Sequence, residues 1–298
     1  MITEDIVLAS YVNGDFKCTL YSSGTFTKES SVVNPKAAFP SSIDVKITNY
    51  CNMPCAYCHE DSTTKGRHGD ISLLLDQLAI LPEGIELAIG GGNPLAHPNL
   101  LQFLYAVKQQ GKYANITINQ GHLTQYRSLI QELVVNDLVK GIGVSIVNVA
   151  SLPTWLTSTA QERVVLHMIA GVHTVKDVLT MLELGAPRKI LVLGYKTFGR
   201  GITYFDKTVE DNLQSWIIYV RSLFDKCLLS FDNLGIEQLK LKRFFSEEMW
   251  NKLYMGDDFT HSMYIDAVEM QYAPTSRSST DQRVNYSNII DYWNSAHN

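Results

Sequence analysis

The 298-residue sequence lacks three features that would assign it to large classes of protein. It has no apolar run of the roughly 18 residues that a membrane-spanning helix requires, and its first residues lack the basic and apolar regions of a signal peptide. It has no excess of positive charge, since 25 Lys and Arg face 30 Asp and Glu. This counts against nucleic acid as a partner, because nucleic acid is bound through basic surfaces. We expect a soluble cytoplasmic protein that does not associate with membranes.

Cysteine is also scarce, and the odd number of five is unlike the paired cysteines of a secreted disulfide framework. A chain of this length buries roughly 75% of the surface that its unfolded form exposes, so it needs no disulfides to be stable. Three of the five, Cys51, Cys55 and Cys58, lie close together, whereas Cys18 and Cys227 stand alone. The clustering indicates metal or redox chemistry in a reducing compartment.

Strand-like and helix-like segments alternate from Ile43 onward. The predicted strands cover residues 43–48, 84–90, 115–119, 141–147, 163–169 and 189–195. The predicted helices cover residues 70–81, 99–112, 124–136, 174–185 and 208–226, with a weaker one near 150–162. Six repeats of strand and crossover are typical of a parallel sheet covered by helices.

The predicted strands alternate apolar with polar or small residues, as in 43–48 and 115–119. A doubly wound sheet buried on both faces usually has nearly continuous apolar strands instead. The alternation favours helices on one face and, on the other, a lumen with room for ligands. We therefore predict the α/β class, with a curved or incompletely closed barrel.

Two further regions flank the predicted barrel, which spans residues 41–226. Residues 1–40 form a β extension, because Asn13-Gly14 between two apolar runs is a hairpin signal. Residues 227–298 form an α/β tail that covers the barrel. In this tail we predict a strand at 228–231, a helical stretch at 236–254, a strand-like run at 263–272 and a helix at 286–296.

The cysteine loop directly follows the first barrel strand, at the end of the barrel where active sites lie. Three soft thiolates suit either zinc or an iron–sulfur cluster. A structural zinc site requires four ligands, and His59 is poorly placed as the fourth because it adjoins Cys58. A [4Fe–4S] cluster normally takes four thiolates, so a three-cysteine loop leaves one iron open for a ligand.

A glycine-rich segment, Gly90 to Asn93, follows the second strand. Consecutive glycines allow a ligand to approach the backbone and leave amide and carbonyl groups turned toward a small polar molecule. The position of this segment, after a strand and about 30 residues beyond the cysteine loop, favours a binding role over a simple turn.

These two motifs together resemble the radical S-adenosylmethionine (radical SAM) superfamily. The match is Cys51-x3-Cys55-x-Tyr57-Cys58 joined to Gly91-Gly92-Asn93-Pro94. The resemblance implies a partial (β/α)6 barrel of the TIM type whose three cysteines hold a [4Fe–4S] cluster, with SAM chelated at the open iron. It implies reductive cleavage of SAM to a 5′-deoxyadenosyl radical that abstracts hydrogen from a substrate, with an electron donor such as flavodoxin or ferredoxin. Cys227 alone remains after Cys58, so no auxiliary cluster is expected.

The resemblance also implies contacts to SAM. The cofactor-binding residues that it implies are Tyr57, Gly90, Gly91, Gly92, Asn93, Asn119 and Ser145. The glycine-rich segment meets the SAM amino group, the backbone around Tyr57 lies near adenine, and Ser145 contacts ribose or carboxylate. Asn93 stands where many members carry Glu, so its amide oxygen is expected to accept a weaker hydrogen bond from the SAM ammonium.

Several polar side chains are candidates for contact with the substrate. They are Lys46, Glu86, His167, Tyr195, Lys196 and Arg200. For Lys46 and Glu86 the alternative is a salt bridge between the two inside the lumen. The alternative for His167 is a histidine packed in the core. The loop from Lys196 to Gly201 could bind a phosphate or carboxylate, and the alternative is that its charges are only solvated.

Three functions remain open from the sequence. The first is a radical SAM enzyme acting on a peptide or small metabolite. The second applies the same chemistry to a nucleotide or nucleic-acid base, and Lys196 and Arg200 are its only support. The third is a non-enzymatic zinc-binding module.

Overall fold

The computed structural model describes residues 5–151 and 163–297. Most of the helix predicted near 150–162 therefore lies outside the described residues. Within the described ranges, no helix is long and apolar enough to cross a membrane.

The first described residues form a three-stranded antiparallel sheet. Its strands are β1 (Val7–Asn13), β2 (Phe16–Tyr21) and β3 (Phe26–Glu29). The predicted hairpin is confirmed: Gly14 has a φ of 59°, the left-handed conformation that the turn requires. The buried Asn13 side chain donates to Phe39 O and accepts from Ala38 N, which ties the turn to the segment that enters the barrel.

A second, ten-stranded sheet forms the body of the molecule. Seven of its strands run parallel and pair in chain order: β4 (Ser42–Thr48), β5 (Glu86–Gly91), β6 (Tyr113–Asn119), β7 (Gly141–Ser145), β8 (Val164–Ile169), β9 (Lys189–Leu193) and β10 (Leu228–Phe231). The six predicted barrel strands are confirmed to within two residues at either end, and the strand predicted at 228–231 is confirmed as the seventh.

Helices cover one face of this sheet, and others lie in the connections and the tail. They are α1 (Ile71–Ala79), α2 (Leu100–Gln109), α3 (Arg127–Val135), α4 (Val175–Glu183), α5 (Gly201–Tyr204), α6 (Lys207–Tyr219), α7 (Asn233–Gln238), α8 (Glu247–Leu253) and α9 (Ile289–His297). Short 3-10 helices span Pro94–Ala96, Gln120–His122, Val220–Leu223, Leu241–Phe244 and Thr280–Gln282. The apolar positions of the strands, such as Ile43 and Val45, pack against helix residues such as Leu74 and Phe103 to form the core.

The opposite face of the sheet curls around a lumen. In a flat sheet β10 would lie about 29 Å from β4, since six inter-strand steps separate them. Phe231 of β10 nevertheless lines the same cavity, of about 320 Å³, as Asp44 of β4 and Glu86 of β5. The partial barrel is thus confirmed, and within the described residues its sheet stays open between the edge strands β10 and β13.

The C-terminal tail adds strands to both edges of the barrel sheet. β10 lies beside β9, and β11 (Ser262–Asp266) pairs in parallel with β4. β12 (Gln271–Ala273) and β13 (Val284–Asn285) then continue the sheet in antiparallel fashion. The division of the chain at residues 40 and 226 stays a prediction.

Two details of the predicted tail are wrong. The strand-like run at 263–272 is a hairpin, because the Asp266 carboxylate accepts the backbone N–H groups of Val268 and Glu269 and turns the chain. The helical stretch at 236–254 is interrupted, because Lys240 adopts a left-handed φ of 54° and Ser246 caps a new helix.

Candidate functional site

The three clustered cysteines lie on an irregular loop that begins where β4 ends. All three are half-buried free thiols, and the loop is closed by a hydrogen bond from Cys51 N to Thr63 O at 2.9 Å. Burial, followed by the neighbouring thiols Cys58 and Cys51, raises the pKa of Cys55. In the described parts of the chain, no three His, Cys, Asp or Glu side chains form a site for a single metal ion.

The glycine-rich segment packs directly on the start of the cysteine loop. Gly92 N donates to Thr48 O and Asn93 N to Tyr50 O, both at 2.7 Å. A Cβ atom on Gly92 would lie 2.3 Å from Tyr50 O, so only glycine permits this approach. By contrast, a Cβ atom on Gly90 would meet no atom of the described chain within 4 Å. Gly92 is therefore required by the protein itself, whereas Gly90 leaves space in the lumen.

The Asn93 side chain is fully buried beside this contact. Its Oδ1 accepts the Leu95 N–H at 3.2 Å and begins the following 3-10 helix. Its Nδ2 has no hydrogen-bond partner among the described residues. The sequence expectation was an oxygen that accepts from an ammonium group. In the structure that oxygen instead accepts from the backbone of the protein, and the Nδ2 donor has no partner among the described residues.

Residues at the end of β6 and just after it hold the middle of the cysteine loop. Asn119 Nδ2 lies 3.4 Å from Cys55 Sγ, and His122 Nε2 lies 2.8 Å from Asn52 Oδ1. Asn119 thus contacts a cysteine sulfur directly. The sequence placed it among the SAM contacts and gave no sign of this partner.

The loop after β9 holds the end of the cysteine loop through Arg200. The Arg200 backbone N–H donates to Cys58 O at 3.0 Å, and its Nε donates to Cys55 O at 2.9 Å. The guanidinium also bonds Ser62 O and pairs with Asp61 at 2.7 Å. The side chain predicted to meet substrate is therefore engaged in fixing the cysteine loop.

Two tyrosines near Arg200 also make contacts that hold the loops around the cysteines. Tyr195 is buried, and its hydroxyl donates to Gly201 O at 2.7 Å. Tyr57 packs edge to face on Tyr204, with ring centroids 5.5 Å apart. Tyr195 thus supports the Arg200 loop, whereas Tyr57 links that loop to the cysteine loop.

Three sequence candidates meet on the lumen face of adjacent strands. Ser145 of β7 pairs in register with Asn119 of β6 and with His167 of β8. The His167 ring covers Gly143, whose added Cβ would lie 2.3 Å from Cε1. Burial lowers the pKa of His167 to about 4, so the imidazole is neutral near pH 7. This row forms a polar wall without a permanent charge.

Lys46 lies in a buried ionic group that joins the barrel to the tail. Its Nζ is 2.9 Å from Glu60 and 3.2 Å from Asp266, and the three side chains are only 11%, 13% and 2% exposed. Burial alone would lower the pKa of Lys46, but the two carboxylates outweigh it and raise the pKa. The salt bridge considered between Lys46 and Glu86 does not form. Glu86 instead accepts from Asn115, near the opposite end of the strands.

Lys196 is the remaining candidate near the cysteine loop. Its Nζ lies 3.4 Å from His59 Nε2 and donates to Ser276 Oγ at 3.1 Å. Asp266, Ser276 and Glu60 were all missed by the sequence reasoning. Glu60 could have been found from its place two residues after Cys58, but Asp266 and Ser276 come from the tail and carried no signal.

Comparison with known proteins identifies the class. Residues 45–202, more than half of the chain, match the model of the Radical SAM superfamily. An open α/β barrel with a three-cysteine loop after its first strand fits that class. The chain belongs to the radical SAM superfamily, a family of enzymes whose cofactors are a [4Fe–4S] cluster and SAM. No match to the sequence is found among curated proteins.

Solved structures share the fold at low sequence identity. SuiB of Streptococcus suis, bound to its precursor peptide SuiA, matches with a TM-score of 0.62 at 13% identity over 87% of this chain and 65% of that one. SuiB bound to S-adenosylmethionine matches equally well, over 66% of that chain. The enzyme anSMEcpe with bound AdoMet and the Kp18Cys peptide has a TM-score of 0.54 at 12% identity, over 84% of this chain and 78% of that one. The present chain thus spans slightly less than two thirds of SuiB.

The donor set at the cysteine loop fits the cofactors of the family. Three soft, half-buried thiols lie on one short loop, and the sulfurs of Cys51 and Cys55 accept hydrogen bonds from Met53 N and Asn119 Nδ2. Such bonds to thiolate sulfur are a feature of iron–sulfur sites. The open space at Gly90 and the unpaired Asn93 Nδ2 belong to the glycine-rich segment, which packs on the start of the same loop.

Proposed function

We propose that this chain is a radical SAM enzyme that holds one [4Fe–4S] cluster on Cys51, Cys55 and Cys58 and acts on a peptide or small metabolite. The observation that carries the proposal is the three-thiol loop, fixed from three sides at the carboxyl end of the barrel strands and open to a polar lumen. When bound, the cluster and SAM supply reductive cleavage of SAM and abstraction of a substrate hydrogen atom.

The chain's own part in this reaction is placement. The space beside Gly90 accommodates the methionine part of SAM, with the Asn93 amide as a hydrogen-bond donor. Ser145 and the backbone around Tyr57 bind the rest of the cofactor. His167 presents a neutral imidazole to the lumen, so it binds substrate or cofactor through hydrogen bonds and not through charge.

A peptide is supported as the substrate by the proteins that share the fold. SuiB and anSMEcpe are known in complex with peptides. We further propose that a flavodoxin or ferredoxin supplies the electron and that the enzyme works in the reducing cytoplasm.

The nucleotide alternative has less support than the sequence suggested. It depended on Lys196 and Arg200, but Arg200 is paired with Asp61 and with backbone oxygens of the cysteine loop. Only Lys196 remains to meet a phosphate. If a nucleotide were the substrate, Lys196→Glu should abolish its turnover and spare uncoupled SAM cleavage.

Anaerobic reconstitution tests the proposed function. Wild-type protein should become brown, bind about four irons and release 5′-deoxyadenosine from SAM under dithionite. Cys55→Ala should lose the iron, whereas Cys227→Ala is the matched control because that half-buried thiol lies outside the loop. A colourless protein with one zinc and no SAM cleavage would establish the zinc module instead.

Transfer of deuterium tests the substrate class. A candidate peptide or metabolite that carries deuterium at the attacked carbon should pass the label into 5′-deoxyadenosine. His167→Phe, which keeps ring volume but removes both nitrogens, should lower this transfer more than it lowers uncoupled cleavage. Equal losses in the two assays would remove His167 from the substrate site.

A further inference from the structure

Asn119 has both polar atoms of its side chain engaged by the protein. Its Oδ1 accepts the Gly121 N–H at 2.8 Å, and its Nδ2 lies 3.4 Å from Cys55 Sγ. The bond to Gly121 fixes the orientation of the amide, because of its two ends only the oxygen can accept from a backbone N–H. The group that faces the sulfur is therefore the NH₂ donor.

The neighbours of Asn119 hold it against the cysteine loop. A Cβ atom on Gly121 would lie 2.5 Å from Met53 Cε, so the two segments are in close contact there. His122 Nε2 and Asn52 Oδ1 form a second link at 2.8 Å. Because these contacts do not involve the amide of Asn119, the loop keeps support on this side when that amide is changed.

We propose that Asn119 is a positioning residue that sets the reduction potential of the cluster through its hydrogen bond to Cys55. This rests on the proposed function, in which Cys55 is a cluster ligand. Reduction adds one negative charge that is shared with the ligand sulfurs. An N–H donor at a sulfur stabilises the more negative state more strongly, because hydrogen bonds to charged acceptors are the stronger ones. The bond therefore raises the potential and eases entry of the electron.

Two substitutions of Asn119 separate its contacts. Asn119→Leu removes the donor and the bond to Gly121 at similar volume. Asn119→Asp keeps the acceptor for Gly121 and replaces the donor with a negative oxygen. Thr117→Val is the matched control, since Thr117 lies on the same face of β6 two residues earlier and Val has nearly the same shape. SAM is left out, so that cofactor binding does not enter the result.

The measurement is an anaerobic redox titration of the reconstituted proteins, followed by electron paramagnetic resonance, with iron content determined on each sample. At a potential fixed at the wild-type midpoint, we expect the reduced-to-oxidised ratio to fall about tenfold in Asn119→Leu, which is about 59 mV for a one-electron couple. The ratio in Asn119→Asp should fall at least as far, and the ratio in Thr117→Val should equal that of wild type.

The iron content of each sample distinguishes a failure of the proposed function from a failure of the proposal for Asn119. If wild-type protein takes up no cluster, the proposed function itself fails. If both Asn119 variants hold four irons and titrate with the wild-type midpoint, the proposal is overturned. If both lose iron while Thr117→Val keeps it, Asn119 only holds the loop, and its assignment to the potential is overturned as well.

Discussion

Gly92→Ala is the substitution whose effect on the fold is best defined by the structure. The new Cβ would lie 2.3 Å from Tyr50 O and 2.8 Å from Tyr50 C, both backbone atoms that cannot rotate away. Overpacking of this kind costs about 1–3 kcal/mol. The shift also disturbs the hydrogen bonds to Thr48 O and Tyr50 O, each worth about 0.5–1.5 kcal/mol. We expect the free energy of unfolding to fall by about 2–4 kcal/mol.

Gly90→Ala is the matched control, two residues away on the same segment. Its Cβ would meet no described atom within 4 Å, and Gly90 has no positive φ. The free energy of unfolding should stay equal or rise by about 0.4–1 kcal/mol, because alanine restricts the unfolded chain. The added methyl group projects into the space that we assign to SAM, so SAM affinity should fall instead.

Urea unfolding of the iron-free proteins, followed by circular dichroism, measures the first effect. Calorimetric titration of SAM into the reconstituted proteins measures the second. The reasoning is refuted if the two variants lose equal stability, or if Gly90→Ala binds SAM as tightly as wild type.

Three further predictions concern the contacts around the site. Arg200→Lys keeps the charge but loses the fork that bonds Cys55 O and Ser62 O, so iron retention after gel filtration should fall; full retention would argue against this role. His167 has a folded pKa of about 4 against about 6.5 unfolded, so its neutral form contributes up to about 3 kcal/mol that is lost as pH falls from 6.5 to 4. His167→Gln should flatten that part of the stability profile, and an unchanged slope would contradict the assignment. Asp266→Asn keeps the turn acceptor but weakens the bond to Lys46, so thermal unfolding should show a loss of about 1–3 kcal/mol; Glu269→Gln, in an exposed pair, should change stability by less than about 1 kcal/mol.

The barrel strands were predictable because the sequence of each strand alternates between residues suited to its two environments. Apolar residues at every second position face the helices, and the polar residues between them face the lumen, as in β6. The position of β11 was not predictable, because its pairing with β4 joins segments that are more than 200 residues apart. The break at Lys240 also had no signal, since neither glycine nor proline marks it.

The candidate site was predictable as a set of motifs but not as a set of contacts. Spacing alone selected Cys51, Cys55 and Cys58. The sequence does not distinguish an exposed cation from one that is bonded to the protein, so Arg200 was named as a candidate for substrate contact, whereas its side chain binds Cys55 O. The partner of Lys46 was misjudged for a related reason. Glu86 shares the lumen face of the sheet with it, but the closer carboxylates come from the cysteine loop and the tail.

The cysteine loop has no regular secondary structure of its own, so its shape must be imposed by what surrounds it. The segments that contact it lie at or just beyond the carboxyl ends of β5, β6 and β9, and parallel strands deliver these ends to one rim of a barrel. Gly92, Asn119 and Arg200 each contact a different part of the loop. A slip of one residue in β6 would turn Asn119 to the opposite face of the sheet, and a slip in β5 or β9 would displace Gly92 or Arg200 along the rim. The geometry offered to the cluster therefore depends on the register of the whole sheet, and the three-cysteine motif is necessary for it but not sufficient.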